Sequence, residues 1–413
     1  MDFLKRHIPH IAVALGAMMT LLFPVAAGEV MRAISAWFFR YFDWLTLLAA
    51  GAAVIFCVAI CLLPVGRTRI GGDEARPEFQ MTTWFAMLFA AGMGSGMVFW
   101  GAAEPLVFYF DPPPGGALPE TPEARREALA LTQFHWSIHA WAIYAVAGLV
   151  VAIAAGKSQA PLPSMPFAGL SLRWRKIIDW LAIIAVIFGV VASLGQGAIQ
   201  MATGAERITD GGIMAETSSR VAILIVLTVL YLVSAARGLR RGIAVLSNIN
   251  LVLAVGLALF IFVAGPTTDI LRTFWESLTA YGERIVSLSF TLRLEGEART
   301  WTHGWTLTYL LWWIAWAPFV GVFIARISRG RTLREFVGGV VLVPVAVTLV
   351  WFSILGGAAL SLTEAGADLG VRDLRTAPES VYALLEYLPL TQMIQILAFA
   401  LVFVFLLTSA DSG

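Results

Sequence analysis

Runs of about 20 apolar residues recur along the whole chain, the length a helix needs to cross a bilayer. Ten stand out, at roughly 9–29, 43–65, 81–110, 129–156, 177–203, 219–236, 243–265, 304–325, 336–362 and 389–413. A membrane β-barrel would show short alternating segments instead. The connections are mostly short, with three exceptions. Residues 111–128 are proline-rich, and residues 157–175 run into the basic RWRK at 173–176. Residues 266–303 contain in their first part DILRTFWESLTAYGERIVSL, whose amphipathic pattern predicts a helix lying along the membrane surface.

Composition agrees with the pattern. Of 413 residues, 59% are hydrophobic and 13% charged, against roughly 25% charged in a soluble domain. The fold class is an all-α polytopic membrane protein, multi-pass in the lipid bilayer of the cell membrane. The net charge of +1 hides an asymmetry. With the N-terminus cytoplasmic, Lys5, Arg6, Arg67, Arg69, Arg76, Lys157, Arg173, Arg175, Lys176, Arg237, Arg240, Arg241 and the ARISRGRTLREF segment fall inside, while the outer loops are acidic. The first run has no small-residue cleavage pattern and counts as a span. The two cysteines, Cys57 and Cys61, read as reduced small hydrophobes rather than a disulfide framework. No nucleophile elbow, phosphate loop or zinc spacing occurs. No enzyme activity, bound cofactor or nucleic-acid partner is therefore expected.

The third run contains LFAAGMGSGMVFWGAAEPLVFY, in which Gly92, Gly94 and Gly96 alternate. Each costs up to ~1 kcal/mol in a helix interior. Close packing through small residues needs a spacing of four, so alternation favours an unwound helix that offers backbone groups to a ligand at mid-membrane. Aromatic residues cluster twice. Trp136, Trp141 and Tyr144 lie in FHWSIHAWAIY, and Trp313 and Trp316 in LLWWIAWAPF. Trp141 shares a helical face with Tyr144, and Trp313 with Trp316. Electron-rich ring faces grip a quaternary ammonium, a cation with no hydrogen to donate. A single such cluster would more often be helix packing or interfacial anchoring. Two clusters beside a broken helix favour binding.

The last run ends LLTSADSG, where Thr408 and Ser409 beside backbone carbonyls form a small hard-oxygen site that would suit sodium, although such hydroxyls often bond back to their own helix. Glu104 precedes Pro105 and is expected to satisfy amides freed by a helix break. His135 and His139 lie one turn apart with no third ligand evident, so no metal site is expected there. The basic ARISRGRTLREF segment, residues 325–336, reads as a positive-inside anchor that need not bind anything.

The segments AAGMGSGMVFWGAAEP, FHWSIHAWAIY, FGVVASLGQGAIQ, WWIAWAPFVGVFIARISRGRTLREF and TSADS together resemble the betaine/carnitine/choline transporter family over essentially the whole chain. The resemblance implies twelve helices around a LeuT-type core of two inverted five-helix repeats, of which about ten helices are present here. Residues 1–75 would hold two extra N-terminal helices and 80–265 the first repeat with its glycine-broken helix. Residues 266–302 would form the external surface helix and loop, and 303–413 an incomplete second repeat. The chain stops at Gly413 with no polar exit, so it is expected to be C-terminally incomplete.

Carried over by position, the aromatic box is Trp136, Trp141, Tyr144 and Trp313, with Gly92, Gly94 and Gly96 beside the substrate. Trp312 and Trp316 would line the cytoplasmic path. Ala90, Met93, Phe405, Thr408 and Ser409 match the family's sodium site. A second family sodium site uses threonines where this chain has Val186 and Val190, so it is expected to be lost or weakened. Choline-preferring relatives place an aspartate in the glycine stretch; its absence here favours a zwitterion such as glycine betaine. The implied activity is sodium-coupled import of such a compatible solute, by alternating access, in osmoprotection. Its alternatives are sodium-independent exchange of carnitine- or choline-type substrates, or a non-transporting truncated product. A homotrimer is what the resemblance suggests.

Overall fold

The computed structural model describes residues 13–92, 94–156, 161–237, 240–292 and 295–412, and their side chains other than at 89–92, 234–237, 240–245, 247 and 409–412. Apart from one isolated antiparallel bridge, Arg69 to Thr332, the regular structure of the described residues is helical. The helices are α1 Val13–Leu22, α2 Pro24–Leu62, α3 Met81–Gly92, α4 Ser95–Phe110, α5 Pro122–Trp136, α6 Ile138–Ala155, α7 Leu172–Ile208, α8 Thr217–Arg237, α9 Arg240–Ala264, α10 Thr267–Phe290, α11 Gly296–Thr302, α12 Thr308–Ile327, α13 Leu333–Glu364, α14 Ser380–Glu386 and α15 Thr391–Ser412.

Six described stretches are long and apolar enough to cross a bilayer: Pro24–Leu62, Pro122–Ala155, Leu172–Ile208, Gly296–Ile327, Leu333–Glu364 and Thr391–Thr408. The other runs differ for local reasons. The run at 81–110 is split into α3 and α4 at its glycines, so neither half is long enough alone. The run at 9–29 is interrupted at Phe23 because Pro24 has no N–H to donate to the preceding turn. Helix α2 then continues without a break to Leu62, through residues 30–42 where a connection between two runs was expected. The outer loop at 111–128 is shorter than its composition suggests. Thr121 caps α5 by accepting from the Ala124 amide at 3.1 Å, with Pro122 in the first turn.

Helix α4 occupies the centre. Nearly every residue from Ser95 to Tyr109 is buried, packed against α5, α7, α13 and α14. Its contact with α13 is close because a Cβ on Gly356 would lie 2.7 Å from Pro105 Cγ, and one on Gly101 would lie 2.7 Å from Leu355 Cδ2.

Two polar assemblies hold the ends of the bundle. On one side α10 bends 113° away from the C-terminal part of α9 and lies across α5 and α13. Buried Arg125 of α5 pairs with Glu276 of α10 at 2.9 Å and Glu364 of α13 at 3.1 Å, joining all three helices. On the other side the basic segment after α12 has specific partners, beyond a general attraction to the membrane surface. The Arg331 guanidinium lies 4.8 Å from the Trp84 ring centre and donates to Phe79 O at 2.7 Å. Trp84 Nε1 donates to Ser328 at 2.9 Å. Arg326 donates to Glu78 at 2.7 Å and, chiefly through that hydrogen bond, holds its carboxyl below the usual glutamate range. Gly330 takes φ +83°, and a Cβ there would lie 2.2 Å from the Arg76 backbone, so the turn needs glycine.

Candidate substrate-binding site

The two aromatic clusters come together on α5, α6 and α12. Helices α6 and α12 meet almost backbone to backbone: a Cβ on Gly321 would lie 3.0 Å from Gly148 N and 3.1 Å from Ala147. That approach seats Trp313 between the clusters. Its ring centre is 5.4 Å from Trp136 and 5.5 Å from Tyr144, both edge-to-face. Trp141 meets Tyr144 at 5.5 Å in the same geometry. Trp141, Tyr144, Trp313 and Trp136 thus form one continuous chain of rings, with Trp136, Trp141 and Tyr144 buried.

Two helix interruptions shape this chain. One is at the glycines. Helix α3 ends at Gly92 and α4 starts at Ser95, with Gly94 extended at φ −137°, ψ 173°. Met93 lies outside the described residues. Gly96 is already inside α4, where a Cβ would lie 3.2 Å from the Trp136 ring and 3.7 Å from the Trp312 ring. The other interruption is at Ser137, which separates α5 from α6 with φ −104°, ψ −120°. It leaves carbonyls at the end of α5 to outside donors. Trp313 Nε1 donates to His135 O at 2.7 Å, and the Thr348 hydroxyl lies 3.4 Å from Trp136 O. A single π-helical turn, His303–Leu307, precedes α12 on the other side of the site; such turns gather at functional sites.

Glu104 sits behind the rings, fully buried. It does not satisfy freed backbone amides, because α4 runs on through Pro105. Its carboxylate instead accepts from Trp136 Nε1 at 2.7 Å and the Tyr309 hydroxyl at 2.6 Å, and lies 2.6 Å from His135 Nδ1. The far nitrogen of His135 is 3.0 Å from the Thr306 hydroxyl. His139 points elsewhere, to Ser289 at 2.8 Å. Tyr309 stacks at 6.1 Å on Trp312, which is 6.4 Å from Trp136.

Trp316 stands apart from the box. It packs on Phe319, and its indole fills the space a Cβ on Gly189 of α7 would take, 2.6 Å away. Val186 is buried and Val190 half-buried on that same helix, as apolar residues. Of the residues matched to sodium, Phe405 is buried and the Thr408 hydroxyl hydrogen-bonds its own helix, at 2.9 Å to Val404 O and 3.1 Å to Phe405 O. Ala90 lies in the last turn of α3. Its side chain, that of Ser409 and the whole of Met93 lie outside what is described.

Known proteins match this sequence along nearly its whole length. The model of the BCCT family, betaine/carnitine/choline family transporters, matches residues 7–413. The chain belongs to that family. The glycine betaine transporter OpuD of Bacillus subtilis is 42% identical over 397 residues, covering 94% of this chain and 77% of that protein. Glycine betaine transporter 1 of Vibrio parahaemolyticus is 40% identical over 381 residues, covering 90% and 72%. A glycine betaine/proline/choline transporter of the same species is 36% identical over 427 residues, covering 98% and 76%. Family membership makes the chain a multi-pass membrane transporter and sets it apart from enzymes.

Sequence reasoning missed Tyr309 and the partners of Glu104. The signal for Tyr309 was available: Trp305, Tyr309, Trp312 and Trp316 repeat every three or four residues along one helical face.

Proposed function

We propose that this chain imports a quaternary-ammonium zwitterion, glycine betaine or a similar compatible solute, bound between Trp136, Trp141, Tyr144 and Trp313. The observation that carries this reading is the continuous chain of four rings beside the glycine break. Ring faces attract a trimethylammonium that offers no donor. The carboxylate of the same solute would turn to the backbone amides around Gly92, Gly94 and Gly96. A lone cation such as choline has nothing to place there. The printed names of the relatives favour the same solute class.

In this reading transport is coupled to sodium, held by Ala90, Met93, Phe405, Thr408 and Ser409 between the broken helix and α15. The valines at Val186 and Val190 have no oxygen to offer a second ion. The core follows the family's inverted five-helix repeats and works by alternating access, with the N-terminus cytoplasmic and Trp312 and Trp316 along the inner path. The homotrimer belongs to the same proposal.

The test is uptake of labelled glycine betaine by cells that lack their own uptake systems and express this gene. Uptake in sodium medium that falls at least about tenfold in potassium medium supports the reading. Equal uptake in both media replaces symport with sodium-independent exchange, and no uptake with the protein present in the membrane contradicts the assignment.

A further inference from the structure

The Glu104 carboxylate is the feature of the site that the aromatic box does not by itself require. It is fully buried in the centre of the bundle. Three side chains close on it: Trp136 Nε1 donates at 2.7 Å and the Tyr309 hydroxyl at 2.6 Å, and His135 Nδ1 lies 2.6 Å away, with Thr306 on its opposite ring nitrogen. Two of these three residues sit in or against the box. Trp136 is a member, edge-to-face on Trp313, and Tyr309 stacks on Trp312.

A hydrogen bond to a carboxylate is roughly twice as strong as a neutral one, and stronger still in a low-dielectric interior. The bond to Trp136 fixes the indole in its plane. The carboxylate at the indole N–H edge also pushes electron density into the ring and leaves its face more electron-rich. The ring face is the part that meets a cation. Behind the ring, the Glu104–His135 pair presents its carboxylate end to Trp136, and little water separates that end from the box.

We infer that Glu104 is a positioning and specificity-determining residue of the aromatic box: through Trp136 it sets the ring that receives the ammonium, and its charge tilts the site toward cations. This rests on the binding reading proposed above. The charge acts differently on two ligands. A zwitterion feels attraction at its ammonium and repulsion at its carboxylate. A net cation such as choline feels attraction alone. A purely structural role for Glu104 would not distinguish them.

The experiment is equilibrium binding of labelled glycine betaine to the purified protein, with unlabelled choline as competitor, for wild type, Glu104→Gln and Glu104→Asp. Glu104→Gln keeps the shape and removes the charge. The expected result is a betaine Kd raised at least about threefold, a choline inhibition constant raised at least about tenfold, and Glu104→Asp between wild type and Glu104→Gln for both ligands. Equal changes for the two ligands, or none, overturn the inference. If Glu104→Gln does not accumulate in the membrane, Trp136→Phe carries the test, because it keeps a ring, although a smaller one, and cannot bond Glu104. A betaine Kd within about twofold of wild type in that variant overturns the positioning role. Wild type that binds no betaine sinks the binding reading itself, a distinct failure.

Discussion

Gly96 shows how much of the site turns on single atoms. A Cβ there would already lie 3.2 Å from Trp136 and 3.7 Å from Trp312, so any side chain at this position projects among the rings. Gly96→Asp would supply the anion that choline lacks and would compete with the carboxylate of betaine. The expected outcome is choline uptake gained and the apparent betaine KM raised at least about tenfold, measured by competition in whole cells. At this scale the sequence was informative about residue types. The pattern singled out Trp136, Trp141, Tyr144, Trp313 and Trp316, the resemblance narrowed these to four, and the structure joins those four rings and sets Trp316 apart. The role of Glu104 was not legible. Its donors lie 31, 32 and 205 residues away, and local spacing carries no trace of contacts that far apart.

Among the elements, the glycine break between α3 and α4 could be read directly, since alternating glycines weaken a helix wherever they occur. The break at Ser137 could not. FHWSIHAWAIY contains neither glycine nor proline, and the interruption is held by tertiary bonds from Trp313 and Thr348. The amphipathic pattern of α10 was visible in the sequence, whereas its attachment through Arg125 to both α5 and α13 depends on the assembled bundle. The close approach of α6 and α12 gives a prediction of its own. Gly321→Val would place a branched side chain where even a Cβ meets backbone at 3.0 Å. Pushing the helices apart should destabilise the protein by about 1–3 kcal/mol and weaken betaine binding by separating Trp313 from Tyr144. Thermal unfolding in detergent, read beside ligand binding, checks both. Unchanged stability and affinity would mean the two helices are not held by this contact.

For the whole molecule, the rings bear on the transport cycle. A cation bound through a ring face sits within about 6 Å of its centre. Trp136 and Trp313 are 5.4 Å apart at nearly a right angle, so one ammonium in the corner between them can lie within reach of both faces. Their helices belong to different stretches of the chain, and in the alternating-access cycle proposed above one helix group would move relative to the other. The ion pairs around Arg125 at one end and the Arg331–Trp84 contact at the other lie outside this region and can stay intact as it opens. The central claim is that the box itself binds the ammonium. Binding of labelled glycine betaine to the purified protein, compared among wild type, Trp313→Phe and Trp313→Ala, tests it most directly. The account predicts saturable binding by wild type, weakened about fivefold in Trp313→Phe, which keeps a ring but loses the bond to His135, and at least about thirtyfold in Trp313→Ala. Saturable binding that Trp313→Ala leaves unchanged would contradict it.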